Sequence, residues 1–270
     1  MDKLFFEQML KKHYREAAGL EESWDARAAH FNQSQQRDRS GLAENVTHYL
    51  KERGILDGAH VLDIGGGSGR YAVPFAAHAD HVTVTDISSN MLALAKENAE
   101  NNGLANLSYV KTVWESVDIA ALGWHKKFDL AFASMCPAVR SPEGFRQMSE
   151  VSKGFCLINQ FITRADSLSD YLLKELDIKP AHDPHNDRDT VQAMFNLLWL
   201  EGYEPEITYL RQEDEAVHTV DEAFERYAGR YEQAAQSKGL NLKNILAQYA
   251  VEGLVRVSGK TTLAMILWKV

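Results

Sequence analysis

Apolar residues recur at helical spacing at the start of the chain. Leu4, Phe5, Met9, Leu10 and Tyr14 share one helix face, and Leu42, Val46, Tyr49 and Leu50 mark a second helix over about 40–54. Between them, a segment from Trp24 to Asn32 runs into a Gln/Ser/Arg-rich stretch, which reads as a mobile connector. From about residue 60 the pattern alternates. Short apolar or β-branched runs at 60–64, 81–85, 107–111, 128–133 and 155–161 predict strands. Helical patterns at 70–78, 89–102 and 142–151 lie between them, the second with Ser88 or Ser89 as N-cap and Gly103 as stop. Strand–helix alternation with short connections implies parallel strands joined by right-handed crossovers, with helices on both faces.

The last third breaks this rhythm. Helices are predicted over 165–176 and 190–201, then a strand over 205–210. Two more helical patterns follow, over 220–236 and 241–257, before a final strand over 261–268. If the last two strands form an antiparallel hairpin, the residues between them cap its end. The expected organisation is a helical N-terminal lid (1–56), a core (57–210), a helical insertion (211–259) and a last core strand (260–270).

Composition narrows the chemistry. Over 270 residues, 29 Lys and Arg stand against 38 Asp and Glu, a net charge of −9. A nucleic-acid groove usually needs a basic surface, so the balance favours a small-molecule or protein substrate. Cys136 and Cys156 are the only cysteines; both lie in apolar runs and give neither a disulfide framework nor a zinc spacing. The acids Asp2 and Glu7 come too early for a signal peptide, and the longest apolar runs are far below a membrane span. The expected location is the cytoplasm, with no membrane partner; a homodimer stays open.

The segment Asp63-Ile64-Gly65-Gly66-Gly67-Ser68-Gly69-Arg70 follows a strand and opens a helix. A dinucleotide fingerprint G-x-G-x-x-G started at Gly65 fails, because its sixth position is Arg70. The residues fit D-x-G-x-G-x-G instead. Here the chain resembles motif I of the class I S-adenosylmethionine-dependent methyltransferases, of the small-molecule type. The resemblance covers roughly 59–210 and the last strand. It implies a doubly wound, seven-stranded, mostly parallel sheet with an antiparallel last strand and helical lid insertions.

The resemblance also implies a site. Asp63, Gly65, Gly66, Gly67 and Gly69 would pass along the methionine part of S-adenosylmethionine, and Asp86, ending the next strand, would accept both ribose hydroxyls. Ile87 and Met91 would lie against the adenine; for Met91, a place in the helix core is an equal reading. Trp114 or Glu115, after the third strand, would meet the adenine amino group, unless Glu115 merely caps a helix. Ser134, Met135 and Cys136 would stand at the end of the fourth strand, facing cofactor and substrate. Trp24-x-x-Arg27-Ala28-x-x-Phe31 is similar to the helix that covers the cofactor in many small-molecule methyltransferases, or is an ordinary packing pair.

On the substrate side the signal weakens. The turn Ser134-Met135-Cys136-Pro137 lacks the acid or amide and the aromatic of an N/D-P-P-aromatic turn, which disfavours adenine-N6 and glutamine methylation. His182 and His185 sit in a polar cluster that reads as a solvated loop rather than a metal site; at the active-site rim, either is a candidate for contact with the substrate, as are Trp24, Phe31 and Met135. Cys136 reads as a small buried residue rather than a nucleophile. The expected function is methyl transfer from S-adenosylmethionine to a small molecule, leaving S-adenosylhomocysteine, with no catalytic base identified. The alternatives are a protein or RNA methyltransferase, or a non-catalytic protein that binds the cofactor.

Overall fold

The computed structural model describes residues 2–12, 14, 19–38, 40–180 and 182–270. Three helices come first: α1 (Lys3–Lys11), α2 (Leu20–Arg37) and α3 (Leu42–Glu52). The alternating region follows as β1 (His60–Ile64), α4 (Ala72–Ala76), β2 (His81–Asp86), α5 (Ser89–Asn101), β3 (Leu107–Lys111), β4 (Phe128–Ser134), α6 (Pro142–Val151) and β5 (Ser152–Asp166). Then come α7 (Ser167–Glu175), α8 (Arg188–Leu200), β6 (Glu206–Thr219), α9 (Val220–Ser237), α10 (Leu242–Tyr249) and β7 (Leu254–Lys269).

The strands form one seven-stranded sheet in the order β3-β2-β1-β4-β5-β7-β6. β1 pairs in parallel with β2 and with β4; β2 pairs with β3 and β4 with β5 in the same sense, and the last strands are antiparallel. Chain order reverses between β1 and β4. The loops leaving their carboxyl ends therefore diverge and open a crevice, which is where open α/β sheets bind ligands. The strands beside it are buried on both faces, as continuous apolar runs such as Leu130–Ala133 require.

The chain divides into two compact units. The first comprises Met1–Gln160, Asp189–Thr208 and Ala264–Val270. Its core stacks Phe75 edge-on to Phe132 and Trp268 beside Phe145. The second comprises Phe161–Arg188 and Tyr209–Leu263 and has its own core, with Leu168, Leu172, Tyr227, Leu246 and Val255 buried together. Its helices are fastened by polar bonds as well. The Tyr227 hydroxyl donates to Asp166 Oδ1 at 2.9 Å, and the Ser167 hydroxyl accepts from the Ser258 amide at 3.1 Å.

Four elements differ from the sequence pattern. The Gln/Ser/Arg-rich connector is the second half of α2, one continuous helix to Arg37. Gln and Arg are good helix formers, so a polar stretch of them suits an exposed helix face as well as a loop. The last strands run further than their apolar runs: β6 reaches Thr219 and β7 starts at Leu254. The acidic run Glu213–Glu215 in β6 and the bases Arg256 and Lys260 in β7 interrupt the apolar pattern and hide the strand signal, while Glu213 and Lys260 pair at 3.3 Å. Finally, α10 stops at Tyr249 rather than near residue 257, because Glu252 and Gly253 take positive φ (53° and 78°) and turn the chain into β7.

Leu246 is fully buried in the second core. Leu246→Ala should cost about 2–5 kcal/mol by urea unfolding. Hydrogen exchange should place the added opening in α7, α9 and α10.

Candidate active site

The glycine loop is built by three positive φ angles in a row of alternate residues: Gly65 (64°), Gly67 (56°) and Gly69 (85°). Side-chain-bearing residues adopt such angles only with strain. The glycines also differ in what surrounds them. A Cβ on Gly65 would lie 2.5 Å from Cys136 Sγ, and one on Gly66 2.7 Å from Asp63 Oδ2 and from Val84. Packing within the protein thus requires both. A Cβ on Gly67 would meet nothing nearer than Phe31 Cε1 at 3.8 Å and Met91 Sδ at 3.9 Å. That backbone is open, flanked by an aromatic edge and a thioether, so a ligand can pass against it.

Two carboxylates face this loop. Asp86 ends β2 and accepts from the Gly67 amide through Oδ2 (3.0 Å) and from the Ser88 amide through Oδ1 (2.9 Å). These bonds tie the loop to the start of α5. The Ile87 amide also bonds this carboxylate; a carboxylate offers about four lone-pair positions, so room remains for a further donor. Burial pushes its pKa up, against these amide bonds. Asp63 is 1% exposed, and its Oδ2 has no hydrogen-bond partner. Burial first, and the Asp86 charge second, push its pKa up to about 7, although the Ala72 amide donates to it.

Helix α2 crosses this region. Asp25 Oδ1 accepts from the Ser88 hydroxyl and from the Asn90 amide (3.1 Å), adding an external cap to α5, whose own N-cap is Ser88. These bonds hold the Asp25 carboxyl below its ordinary pKa. Gln35 accepts from the Ser68 hydroxyl at 2.9 Å, and Asn32 accepts from Asn98, which also donates to the Ser68 carbonyl. Asp38 pairs with Arg70. Trp24 and Phe31 meet edge to face with centroids 5.7 Å apart, and the Arg27 guanidinium lies over Trp24. Residues 25, 28, 32 and 35 form one stripe of this helix, with Ala28 and Asn32 buried. A polar stripe at that spacing is the signal that an apolar-only reading passes over.

The remaining expected residues fall in varied places. Met91 is buried in α5 with its sulfur beside Gly67, and half-buried Ile87 follows Asp86. Trp114 is buried and donates its indole N–H to the Gly144 carbonyl at 2.8 Å, so its polar group is used within the fold. Glu115 accepts from the Tyr14 hydroxyl at 3.0 Å. Ser134 is half-buried at the end of β4, and Met135 beside it holds a positive φ of 51°. Cys136 packs over Gly65, and burial pushes its thiol up to about 12. His182 and His185 belong to the second unit. There His182 lies 3.9 Å from Asp187, while His185 bonds Asp183 at 3.0 Å and packs on Phe161. Burial holds the His185 imidazole below its ordinary range. Among the described residues, no group of three or more His, Cys, Asp or Glu could hold a metal ion.

A family model described as a methyltransferase domain matches residues 61–153, the stretch that holds the glycine loop and both carboxylates. Over these residues the chain is similar to a methyltransferase domain. A ubiquinone biosynthesis O-methyltransferase of Coxiella burnetii is 38% identical to this chain over 61 residues, 23% of this chain and 26% of the relative. The match thus spans about a quarter of the length of that curated relative. In overall fold, the chain is similar to magnesium protoporphyrin IX methyltransferase from Synechocystis PCC 6803, solved with bound S-adenosylhomocysteine. The TM-score is 0.53 at 12% identity, covering 92% of this chain and 99% of that one. The cyclase SpnF has the same fold, with a TM-score of 0.51 at 14% identity over 92% and 97% of the two chains.

Two outcomes follow for the methyltransferase domain. Asp63 has a folded pKa (about 7) above its unfolded value (3.8), so the native state keeps a proton that the unfolded chain releases. Its contribution to stability is full below pH 4 and falls as pH rises towards 7. Asp63→Asn should therefore gain stability over the native chain across that window, by up to about 4 kcal/mol, and plateau above it. Urea titrations from pH 4 to 8 check this; parallel curves would place Asp63 in a solvated setting. Asp25→Ala removes two acceptor contacts at the start of α5 and should cost about 0.5–2 kcal/mol, with hydrogen exchange rising first at Ser88–Met91.

Proposed function

We propose that the methyltransferase domain binds S-adenosylmethionine along the glycine loop and transfers its methyl group to a small molecule. Asp86 carries this reading. It is fixed by backbone amide bonds at the end of β2, and its pair of acceptor oxygens suits the vicinal hydroxyls of a ribose. The unpartnered Asp63 Oδ2 fits a ligand that brings a donor to the loop, such as the amino group of the methionine part. Phe31 and Met91 would flank the cofactor at Gly67, and Ile87 would lie towards its adenine. Glu115 is the group nearest in sequence for an adenine amino group, while Trp114, with its N–H already used, serves as packing.

When bound, the cofactor supplies an electrophilic methyl on a sulfonium whose departure leaves a neutral thioether. The chain's own residues then have to align the acceptor and exclude water. We assign the covering role to α2, which already spans the loop through Asp25, Asn32 and Gln35. The Cys136 thiol is protonated at neutral pH and packs on Gly65, which suits a wall residue rather than a nucleophile. The net charge of −9 supports a small molecule over nucleic acid. The O-methyltransferase relative supports an oxygen acceptor. No helix among the described residues is long and apolar enough to cross a membrane.

Asp86→Ala should weaken S-adenosylhomocysteine binding by about 1.5–3 kcal/mol in calorimetry, the range for charge-assisted hydrogen bonds. Gly67→Ala should cost about 1–2 kcal/mol of stability through its positive φ, yet weaken the same binding more than tenfold. Radiolabelled cofactor with size-fractionated cell extract should then label a small-molecule fraction. Label in the macromolecular fraction would shift the reading to protein or RNA. Binding without any transfer would leave a non-catalytic cofactor-binding protein.

A further inference from the structure

Helix α1 presents an outer face that nothing among the described residues covers. Phe6 and Leu10 turn inward and are buried, while Leu4 and Phe5 are 60% and 42% exposed. At helical spacing, Gln8 follows Leu4 and Phe5 on the outer side and Lys11 comes next, both exposed. Asp2, Leu4, Phe5 and Gln8 line one open hollow. Helix α8 extends this face. Lys3 Nζ meets Glu201 Oε1 at 2.7 Å and Lys12 Nζ meets Asp189 Oδ2 at 3.3 Å, so the two helices run in opposite senses and the start of α1 lies by the end of α8. That end carries Trp199 and Leu200, 61% and 49% exposed, with the Trp199 ring stacked on Phe195. Leu122 is the one other large apolar residue exposed in the first unit among those described.

Area and charge together say what covers this face. At about 150–250 Å² for a whole large side chain, Leu4, Phe5, Trp199 and Leu200 leave roughly 400 Å² of apolar surface open. A monomer's largest patch, about 300–600 Å², is often functional. A standard interface takes about 800 Å² per partner, a little over half of it apolar. The four side chains supply the apolar part, and Asp2, Gln8 and Lys11 a polar rim. The charges on α1 complement themselves. Asp2, the N-cap, stands at one end of the face; Lys11, which enters no ion pair among the described residues, stands at the other. A two-fold axis near Phe5 and Gln8 turns a second α1 end for end, so that its Lys11 meets Asp2 and its Asp2 meets Lys11. Leu4 and Phe5 of both copies then meet at the centre, and the helix dipoles oppose one another. A lipid surface offers no counterpart to this pairing of an acid with a base. We propose that two copies of the chain associate through this face, α1 antiparallel to α1, with Trp199 and Leu200 of each packed beside the other copy's helix.

Sedimentation equilibrium of the full chain tests this. The native chain should form a reversible dimer below about 100 µM. Phe5→Ser and Trp199→Ser should each weaken it at least about tenfold, while Leu122→Ser, outside the face, should leave it within about twofold. All three residues are exposed, so melting temperatures of the dilute variants should stay within about 2 °C of the native value. Should Phe5→Ser unfold α1, Trp199→Ser on α8 decides. Asp2→Asn keeps an N-cap and loses the charge. It and Lys11→Gln should each weaken the dimer about two- to fivefold, and together no more than the worse of the two, because both break the same contact. A native chain that stays monomeric at about 100 µM overturns the proposal. So does a dimer that Phe5→Ser and Trp199→Ser leave intact, or effects of Asp2→Asn and Lys11→Gln that multiply as independent sites would. A monomer that cosediments with phosphatidylcholine vesicles, and stops doing so in Phe5→Ser and Trp199→Ser, would give the face to a lipid surface and also overturn it.

Discussion

Everything at the candidate site depends on how Asp86 holds the glycine loop. Its two oxygens accept the Gly67 and Ser88 amides, so one carboxylate fixes the turn after β1 and the entry to α5 together. The turn then needs positive φ at Gly65, Gly67 and Gly69, and close packing leaves no room for a Cβ at Gly65 or Gly66. The cost appears at Asp63, buried under the same turn beside a second carboxyl and pushed up to about 7. A buried carboxyl with an unused oxygen, under an open stretch of backbone, is a costly arrangement that a donor brought by a ligand would relieve.

Helix α2 adds a second layer to that constraint. Its Asp25 caps α5 from outside, while Asn32 and Gln35 reach the network around Ser68. These are polar bonds in which one partner is partly exposed, each worth little net free energy. A segment held this way can open at low cost, which a cover over a pocket requires. The polar bonds also set its register, so that Phe31 rather than a neighbour stands over Gly67.

Much of the sheet was legible in the sequence because buried parallel strands are short apolar runs with glycine or capping residues between them. His60–Ile64 and Leu107–Lys111 have the bounds their patterns predict, and Ser88 and Gly103 delimit α5 as capping rules require. The outer strands were legible only in part. β6 and the start of β7 carry several charged residues among few apolar ones, and that signature is shared with exposed loops. Asp63, the glycines and Asp86 stood out because the motif constrains backbone shape. Asp25 did not, since its part comes from partners far along the chain, Ser88 and Asn90. Trp114 shows the converse: a conspicuous residue beside the site whose indole N–H is spent on the Gly144 carbonyl.

The central claim is that Asp86 and the glycine loop hold S-adenosylmethionine beneath α2. A crystal structure of the chain with S-adenosylhomocysteine tests it most directly. The account predicts both ribose hydroxyls on Asp86, the methionine part along Gly65–Gly67 with its amino group turned towards Asp63, and Phe31 packed over the ligand. A ligand bound elsewhere, or bound here with Asp86 still engaged only with the Gly67 and Ser88 amides, would contradict it.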